Sequence, residues 1–216
     1  MLAKSICIID DHVLFREGLK LILENLDLFE QVEQAENGAV FLNMLSKGYR
    51  PDLVFMDIDM PGLNGIETTT QAREIFEEIK VVALTMHSKV EYYAPMLDNG
   101  VKGYLIKNSE IGEIESAIKY VIRGDYYFSP EILNKLVNER TVKSSLIEQP
   151  LTNRENDVLI EICNGLSNAK IADKLNISKR TVDKHRENLL EKTNSSNAVG
   201  LVVFAIKNKL ISVDDI

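Results

Sequence analysis

Ser5-Ile6-Cys7-Ile8-Ile9-Asp10-Asp11 is an apolar run closed by two carboxylates. Such a run is too short for an amphipathic helix and lacks the alternation of a half-solvated strand, so it reads as a strand buried on both faces with acids at its carboxyl end. Working outward, four more runs of this kind follow, over 32–35, 53–56, 81–84 and 103–106. Between them 14–25, 38–46, 64–75, 92–99 and 109–123 carry apolar residues at three- and four-residue spacing, as helices lying on a sheet should. Alternating strands and helices joined by right-handed crossovers give an α/β fold, a doubly wound five-stranded parallel sheet.

The pattern stops after about residue 124. A possible helix over 130–140 is followed by a polar stretch through Thr141, Lys143, Ser144, Ser145, Glu148 and Gln149, which reads as a linker. Beyond it there is no strand pattern, and 152–164, 168–176, 178–193 and 197–208 read as four helices. Charge divides the same way. Residues 1–150 hold 15 Lys+Arg against 24 Asp+Glu, whereas 151–216 hold 10 against 9, so an acidic front half precedes a near-neutral rear half. The two cysteines, Cys7 and Cys163, read as reduced core thiols and are too few for a metal cluster. No run of about 18 apolar residues is present to span a bilayer. The N-terminus shows no signal-peptide pattern, and the expectation is a cytoplasmic protein.

Ligands of open α/β sheets bind at the carboxyl ends of the strands. Asp10 and Asp11 end the first run, Asp57 the third, Thr85 the fourth and Lys107 the fifth. Three carboxylates together repel unless a cation sits among them, and hard oxygen ligands suit Mg²⁺. Phosphoryl transfer needs an in-line nucleophile with positive charge and donors on the equatorial oxygens. Asp57, Mg²⁺, the Lys107 ammonium and the Thr85 hydroxyl fill those roles. Each residue alone is weak, but five at successive strand ends are not scattered as chance would scatter them.

The motifs Ile9-Asp10-Asp11-His12, Met56-Asp57-Ile58-Asp59-Met60-Pro61-Gly62-Leu63-Asn64-Gly65, Leu84-Thr85 and Gly103-Tyr104-Leu105-Ile106-Lys107 resemble the receiver domains of two-component response regulators. The resemblance implies a flavodoxin-like strand order 2-1-3-4-5 over residues 1–124, and phosphorylation of Asp57 by a partner sensor histidine kinase. It further implies Mg²⁺ on Asp11 and Asp57, on Asp10 through water, and on the backbone carbonyl of Asp59. Thr85 and Tyr104 are implied as switch residues that move together when phosphate arrives. Asn108 stands where many receivers have proline, which bears only on local loop geometry.

In the rear half, 168–175 and 178–193 are joined by a tight turn at Asn176-Ile177, with Ser178 as N-cap of the second helix. Val182, Leu189 and Leu190 face the core in this arrangement, leaving Lys179, Arg180, Lys184, His185, Arg186, Asn188 and Lys192 on the outer surface. Leu151-Thr152-Asn153-Arg154-Glu155, Gly165-Leu166-Ser167-Asn168-Ala169-Lys170-Ile171-Ala172 and Ile177-Ser178-Lys179-Arg180-Thr181-Val182-Asp183-Lys184-His185 resemble the four-helix LuxR-type helix-turn-helix domain. The whole chain is similar to NarL/FixJ-type response regulators, which implies a linker over 125–149 and a DNA-binding domain over 150–216. By that resemblance Asp183, Lys184 and Glu187 point at bases, with Lys179, Arg180, Thr181, His185 and Arg186 nearer phosphates. A carboxylate accepts from cytosine N4 while cations supply affinity. Two acids in the groove weaken a monomer, so binding is expected as a homodimer on paired half-sites of double-stranded DNA once phosphorylated. The apolar C-terminal helix, with Val199, Leu201, Val202, Phe204 and Ile206, serves either the domain core or a dimer contact.

The chain is expected to accept phosphate rather than turn over a substrate. A haloacid-dehalogenase-like phosphatase would place Asp57-Ile58-Asp59 on its first strand and need further acids after the lysine, an order this chain does not follow. A silent receiver used only for dimerisation would have no use for a complete acidic set with Lys107.

Overall fold

The computed structural model describes residues 3–86, 96, 99–129, 131–133, 150–195 and 197–212. Within them the elements run β1 (Ala3–Ile9), α1 (Val13–Asn25), β2 (Phe29–Ala35), α2 (Gly38–Ser46), β3 (Leu53–Asp57), α3 (Gly65–Ile75), β4 (Val81–Thr85), β5 (Gly103–Ile106), α4 (Ile111–Ile122), β6 (Tyr127–Phe128), α5 (Asn153–Cys163), α6 (Asn168–Leu175), α7 (Lys179–Lys192) and α8 (Ala198–Lys207). The helix expected over 92–99 lies outside the described residues except for Met96 and Asn99.

The sheet order is β2-β1-β3-β4-β5-β6. Its first five strands follow the expected order and pair in parallel; the sixth corrects the expected count of five. Two residues, Tyr127 and Phe128, carry no periodicity by which a strand is recognised. Strands β3, β4 and β5 are buried at every position, as parallel strands covered on both faces must be, which is why they are near-continuous apolar runs. Edge strand β2 instead exposes Glu30 and Gln31, so its first half was not legible as a strand.

The chain divides into two compact units, Met1–Arg123 and Gly124–Ile216. The second has a core built from Val158, Leu159, Ile162, Ile171, Val182 and Leu189 with Leu201, Val202 and Phe204 of α8. Those α8 residues are therefore occupied inside their own unit, as a small domain with little apolar surface to spare requires. Of the span 125–149 read as a linker, the described part belongs to this second unit: Leu133 is in its core and Phe128 packs against it. The possible helix over 130–140 is described only at 131–133, which are helical.

Local signals set the helix ends. Asn64 and Glu67 cap α3 reciprocally, and Thr152 with Glu155 do the same for α5. Asn176 ends α6 in the left-handed conformation at φ 52°, a cap that asparagine tolerates. Ser178 opens α7 by accepting from the Thr181 amide at 3.1 Å.

Candidate functional site

Register brings the first site together. Ile9 pairs with Met56, Asp57 with Leu84, and Thr85 with Ile106, so the residues that end β1, β3, β4 and β5 converge on one edge of the sheet. Asp10, Asp57 and Thr85 are 0%, 1% and 1% exposed, and the Lys107 side chain is equally sealed. The Lys107 ammonium lies 2.7 Å from Asp10 Oδ2 and 2.9 Å from Asp57 Oδ2, bridging the two acids. Burial pushes the Asp57 carboxyl above the ordinary carboxylate range; Lys107 opposes this and the charge of Asp10 adds to it.

The donor set fits a hard divalent cation. Ligand atoms of Asp10, Asp11, His12 and Asp57 lie within 4.8 Å of one another. Asp10 Oδ2, Asp57 Oδ2 and Asp11 Oδ1 are buried, and beyond the one Lys107 ammonium shared by the first two and His12 beside the third, no donor among the described residues reaches them. Buried carboxylate oxygens in that condition are costly unless a cation completes them. The Asp59 side chain is exposed, and its backbone amide reaches Asp57 Oδ1 only at 3.4 Å. Tyr104 is completely buried on β5, one strand from Ala83 in the ladder.

Three neighbours were not singled out by sequence. His12, the N-cap of α1, places Nδ1 3.1 Å from Asp11 Oδ1; it was legible only as part of the acidic motif. Phe15 lays its ring 4.9 Å from the Lys107 ammonium, a cation–π contact that steadies the lysine over the acids. Arg16 is buried and donates to the Asp10 carbonyl at 2.6 Å and to Gln34 Oε1 at 2.8 Å, which ties the end of β1 to β2.

In the second unit α7 presents Lys179, Arg180, Thr181, Lys184 and Glu187 to solvent. Lys184 and Glu187 pair with each other at 3.0 Å. Asp183, His185 and Arg186 are half-buried. Asp183 accepts from Asn168 Nδ2 at 2.6 Å, and Arg186 donates to Asn168 Oδ1 at 2.9 Å. Lys192 departs from its expected place on the outer surface: it pairs at 2.8 Å with Glu155, which is 2% exposed, so its position in the last turn of α7 turns it toward α5.

Residues 6–119 match the response regulator receiver domain family, and residues 149–205 match the luxR family of bacterial regulatory proteins. The chain is a response regulator of the NarL/FixJ type. The regulator is 37% identical over 226 residues to the transcriptional regulatory protein DegU of Brevibacillus brevis, covering 97% of this chain and 95% of that one. It is 35% identical to the oxygen regulatory protein NreC of Staphylococcus carnosus, covering 96% and 99%. Among solved structures it resembles the response regulator ChrA of a heme-sensing two-component system, at 31% identity and TM-score 0.54 over 98% of this chain and 100% of that chain. The fold is also shared with RcsB of Salmonella typhimurium, at 22% identity and TM-score 0.59 over 97% and 99%. The regulator is thus a transcriptional regulator with a receiver domain and a LuxR-type DNA-binding domain. Among the described residues no helix is long and apolar enough to cross a membrane.

Proposed function

We infer that the regulator is switched by phosphorylation of Asp57 and that the switch controls binding of α7 to promoter DNA. The observation that carries this is the buried ammonium of Lys107 bridging Asp10 and Asp57 beside Thr85. A lysine held at that point is poised to follow negative charge from the carboxylates onto an arriving phosphoryl group.

In the proposed transfer an Asp57 carboxylate oxygen attacks the phosphorus of a kinase phosphohistidine. The phosphorus–nitrogen bond breaks, and the imidazole leaves with the electron pair and takes up a proton. Asp10, Asp11 and Asp57 would hold Mg²⁺, with the Asp59 carbonyl completing the protein ligands; the ion supplies positive charge to the phosphate oxygens. Lys107 stabilises the product's charge, and the Thr85 hydroxyl donates to a phosphate oxygen. Thr85 sits 1% exposed on β4, so moving toward phosphate vacates packed space that Tyr104, on the neighbouring strand, takes up.

On the DNA side, Lys179, Arg180, Thr181, His185 and Arg186 serve the phosphate backbone while Asp183, Lys184 and Glu187 meet base edges. Their exposure in the first three turns of α7 supports Lys179, Arg180, Thr181, Lys184 and Glu187 most directly. The working form is a phosphorylated homodimer on paired half-sites in the cytoplasm, with a sensor histidine kinase as donor. An RcsB relative has been solved in complex with DNA, at 22% identity to this chain.

Incubating the full chain with acetyl phosphate and Mg²⁺ tests the central step. One acid-labile phosphate per chain is expected, absent from Asp57→Ala, together with tighter DNA binding by the treated wild type. Undiminished labile phosphate on Asp57→Ala, or sustained release of inorganic phosphate from a generic phosphomonoester, would overturn it.

A further inference from the structure

Two consecutive residues that precede the LuxR-type segment clamp both helices of its helix-turn-helix. Asp125, 2% exposed, accepts from the amide of Ser167, the N-cap residue of α6, at 3.2 Å and forms an ion pair with Lys170, so it holds the start of α6 from outside the helix. Tyr126 donates its amide to the Gly165 carbonyl at 2.9 Å. The fit there is close: Gly165 has φ +76°, and a Cβ on it would lie 2.9 Å from the Tyr126 carbonyl oxygen.

From Tyr126 a continuous polar chain runs to the face of α7. Arg186 stacks its guanidinium 5.5 Å from the Tyr126 ring centroid and donates to the Tyr126 hydroxyl at 3.3 Å. The same guanidinium donates at 2.9 Å to Asn168 Oδ1, and Asn168 Nδ2 donates at 2.6 Å to Asp183 Oδ1. The polarity admits one arrangement. Arginine only donates and an ionised aspartate only accepts, so the Asn168 amide must face oxygen to Arg186 and nitrogen to Asp183. The chain therefore fixes the direction of the Asp183 carboxylate rather than merely touching it.

We propose that Tyr126, acting through Arg186 and Asn168, is a positioning residue that aims the Asp183 carboxylate for base reading, so that the DNA sequence preference of α7 is set in part from outside the LuxR-type segment. The inference rests on the reading of Asp183 as a base-contacting residue. A carboxylate free to rotate offers its oxygens to any donor in the groove, including water. One held by a short amide bond presents its remaining oxygen along one direction and discriminates better between cytosine N4 and the alternatives. Arg186 keeps its positive charge for the phosphate backbone while two of its five N–H donors are committed to aiming, so a substitution that retains the charge leaves the phosphate attraction in place.

The test uses the full chain, treated with beryllofluoride and Mg²⁺, to select from a randomised duplex pool. Wild type, Asp183→Ala, Tyr126→Phe, Asn168→Ala and Arg186→Lys are compared by sequencing the bound fraction, and each is titrated against salt. Asp183→Ala is expected to flatten the preference at one base pair per half-site. Tyr126→Phe, Asn168→Ala and Arg186→Lys are expected to flatten that same position, by about threefold to tenfold in the discrimination ratio, with other positions and the salt slope unchanged. Arg186→Lys keeps the charge while losing the forked geometry, so it separates aiming from phosphate attraction even if Tyr126→Phe folds poorly. If Asp183→Ala flattens its position while the other three keep wild-type preference, the positioning chain is overturned and base reading by Asp183 stands. If Asp183→Ala itself leaves the preference intact, the reading beneath the proposal fails with it. Uniform weakening by Tyr126→Phe across all sequences would show a merely structural role and also overturn it.

Discussion

Gly65 stands directly against the backbone of Asp57: a Cβ added at residue 65 would lie 2.1 Å from the Asp57 carbonyl oxygen and 2.8 Å from the Ile58 Cα. The contact is backbone against backbone, so no side chain can rotate out of the way. It lets the first turn of α3 abut the strand end that carries Asp57, the proposed phosphoacceptor, held by the Gly65 amide on the Ile58 carbonyl at 3.0 Å.

Gly65→Ala is accordingly expected to displace the end of β3. Overpacking of this kind costs about 1–3 kcal/mol, and because the displaced atoms carry Asp57, phosphorylation by acetyl phosphate should fall at least tenfold in rate as well. Denaturant titration and labile-phosphate assay read the two effects; a wild-type phosphorylation rate would show that the strand end tolerates the shift.

Lys107→Met leaves Asp10 and Asp57 facing each other in a sealed pocket. Losing one partner of a buried pair costs about 3–5 kcal/mol when nothing else changes. Here the loss should be smaller and pH-dependent, because the Asp57 carboxyl is already pushed upward by burial and would rise further without the lysine. A raised folded-state pKa contributes stability that is complete below the unfolded value and is lost as pH rises through the folded one. The variant should therefore approach wild type in mildly acidic buffer and fall away from it toward neutral pH, as measured by denaturation without divalent cations. Added Mg²⁺ should narrow the gap at neutral pH.

Glu155 behaves in the opposite sense. Burial pushes its pKa up, but Lys192 and the amide and hydroxyl of Thr152 outweigh it and hold the carboxyl down at about 2, against an ordinary 4.5. The stabilisation is thus present above about 4.5 and disappears as pH falls toward about 2. Glu155→Gln should cost about 1–3 kcal/mol at neutral pH, with faster amide exchange in α5 at that pH, and its unfolding free energy should vary less with pH through the acid range than that of the wild type. An unchanged exchange rate at neutral pH would mean that Lys192 and the cap contribute nothing.

Both thiols should be inert in the folded chain. Burial pushes Cys7 and Cys163 up to about 12 each, and neither is paired. An aromatic disulfide reagent at pH 8 is expected to titrate no thiol in native protein and two after denaturation; rapid native labelling would contradict the burial of these residues.

Lys184 and Glu187 form an exposed pair on α7, worth little in itself. Lys184→Ala should weaken specific binding by about 1–3 kcal/mol and relax the preference at the base it meets, lowering the salt slope as its charge leaves the groove, whereas Glu187→Gln should strengthen binding to unselected DNA by removing a charge that repels phosphate. A salt series on both variants checks the pair, and identical slopes would place Lys184 away from the groove.

Much of this was legible from sequence because burial leaves a periodic trace. Strands β3, β4 and β5 are apolar throughout since both faces are covered, and the residue that breaks each run marks the strand end, which is how Asp57, Thr85 and Lys107 stood out. The first half of edge strand β2 and the two-residue β6 left no such trace, one being half solvated and the other too short. Lys192 was misplaced for a related reason. Periodicity assigns apolar residues to a core, but it does not show that a buried carboxylate across the domain will draw a lysine inward.

What the sequence determined by itself was therefore the order of the main elements, the ends of the central strands, the N-cap of α7 at Ser178, and the chemical kinds of residue at the acidic pocket and along α7. All of these are local, fixed by backbone geometry and by the spacing of residues along one element. Tertiary structure alone decided that Lys107 spans Asp10 and Asp57, that Phe15 covers it, and that Asp183 reaches Tyr126 through Asn168 and Arg186. Those partners lie far apart in the chain, and long polar side chains meet only where strand register and helix packing bring their tips within about 3 Å.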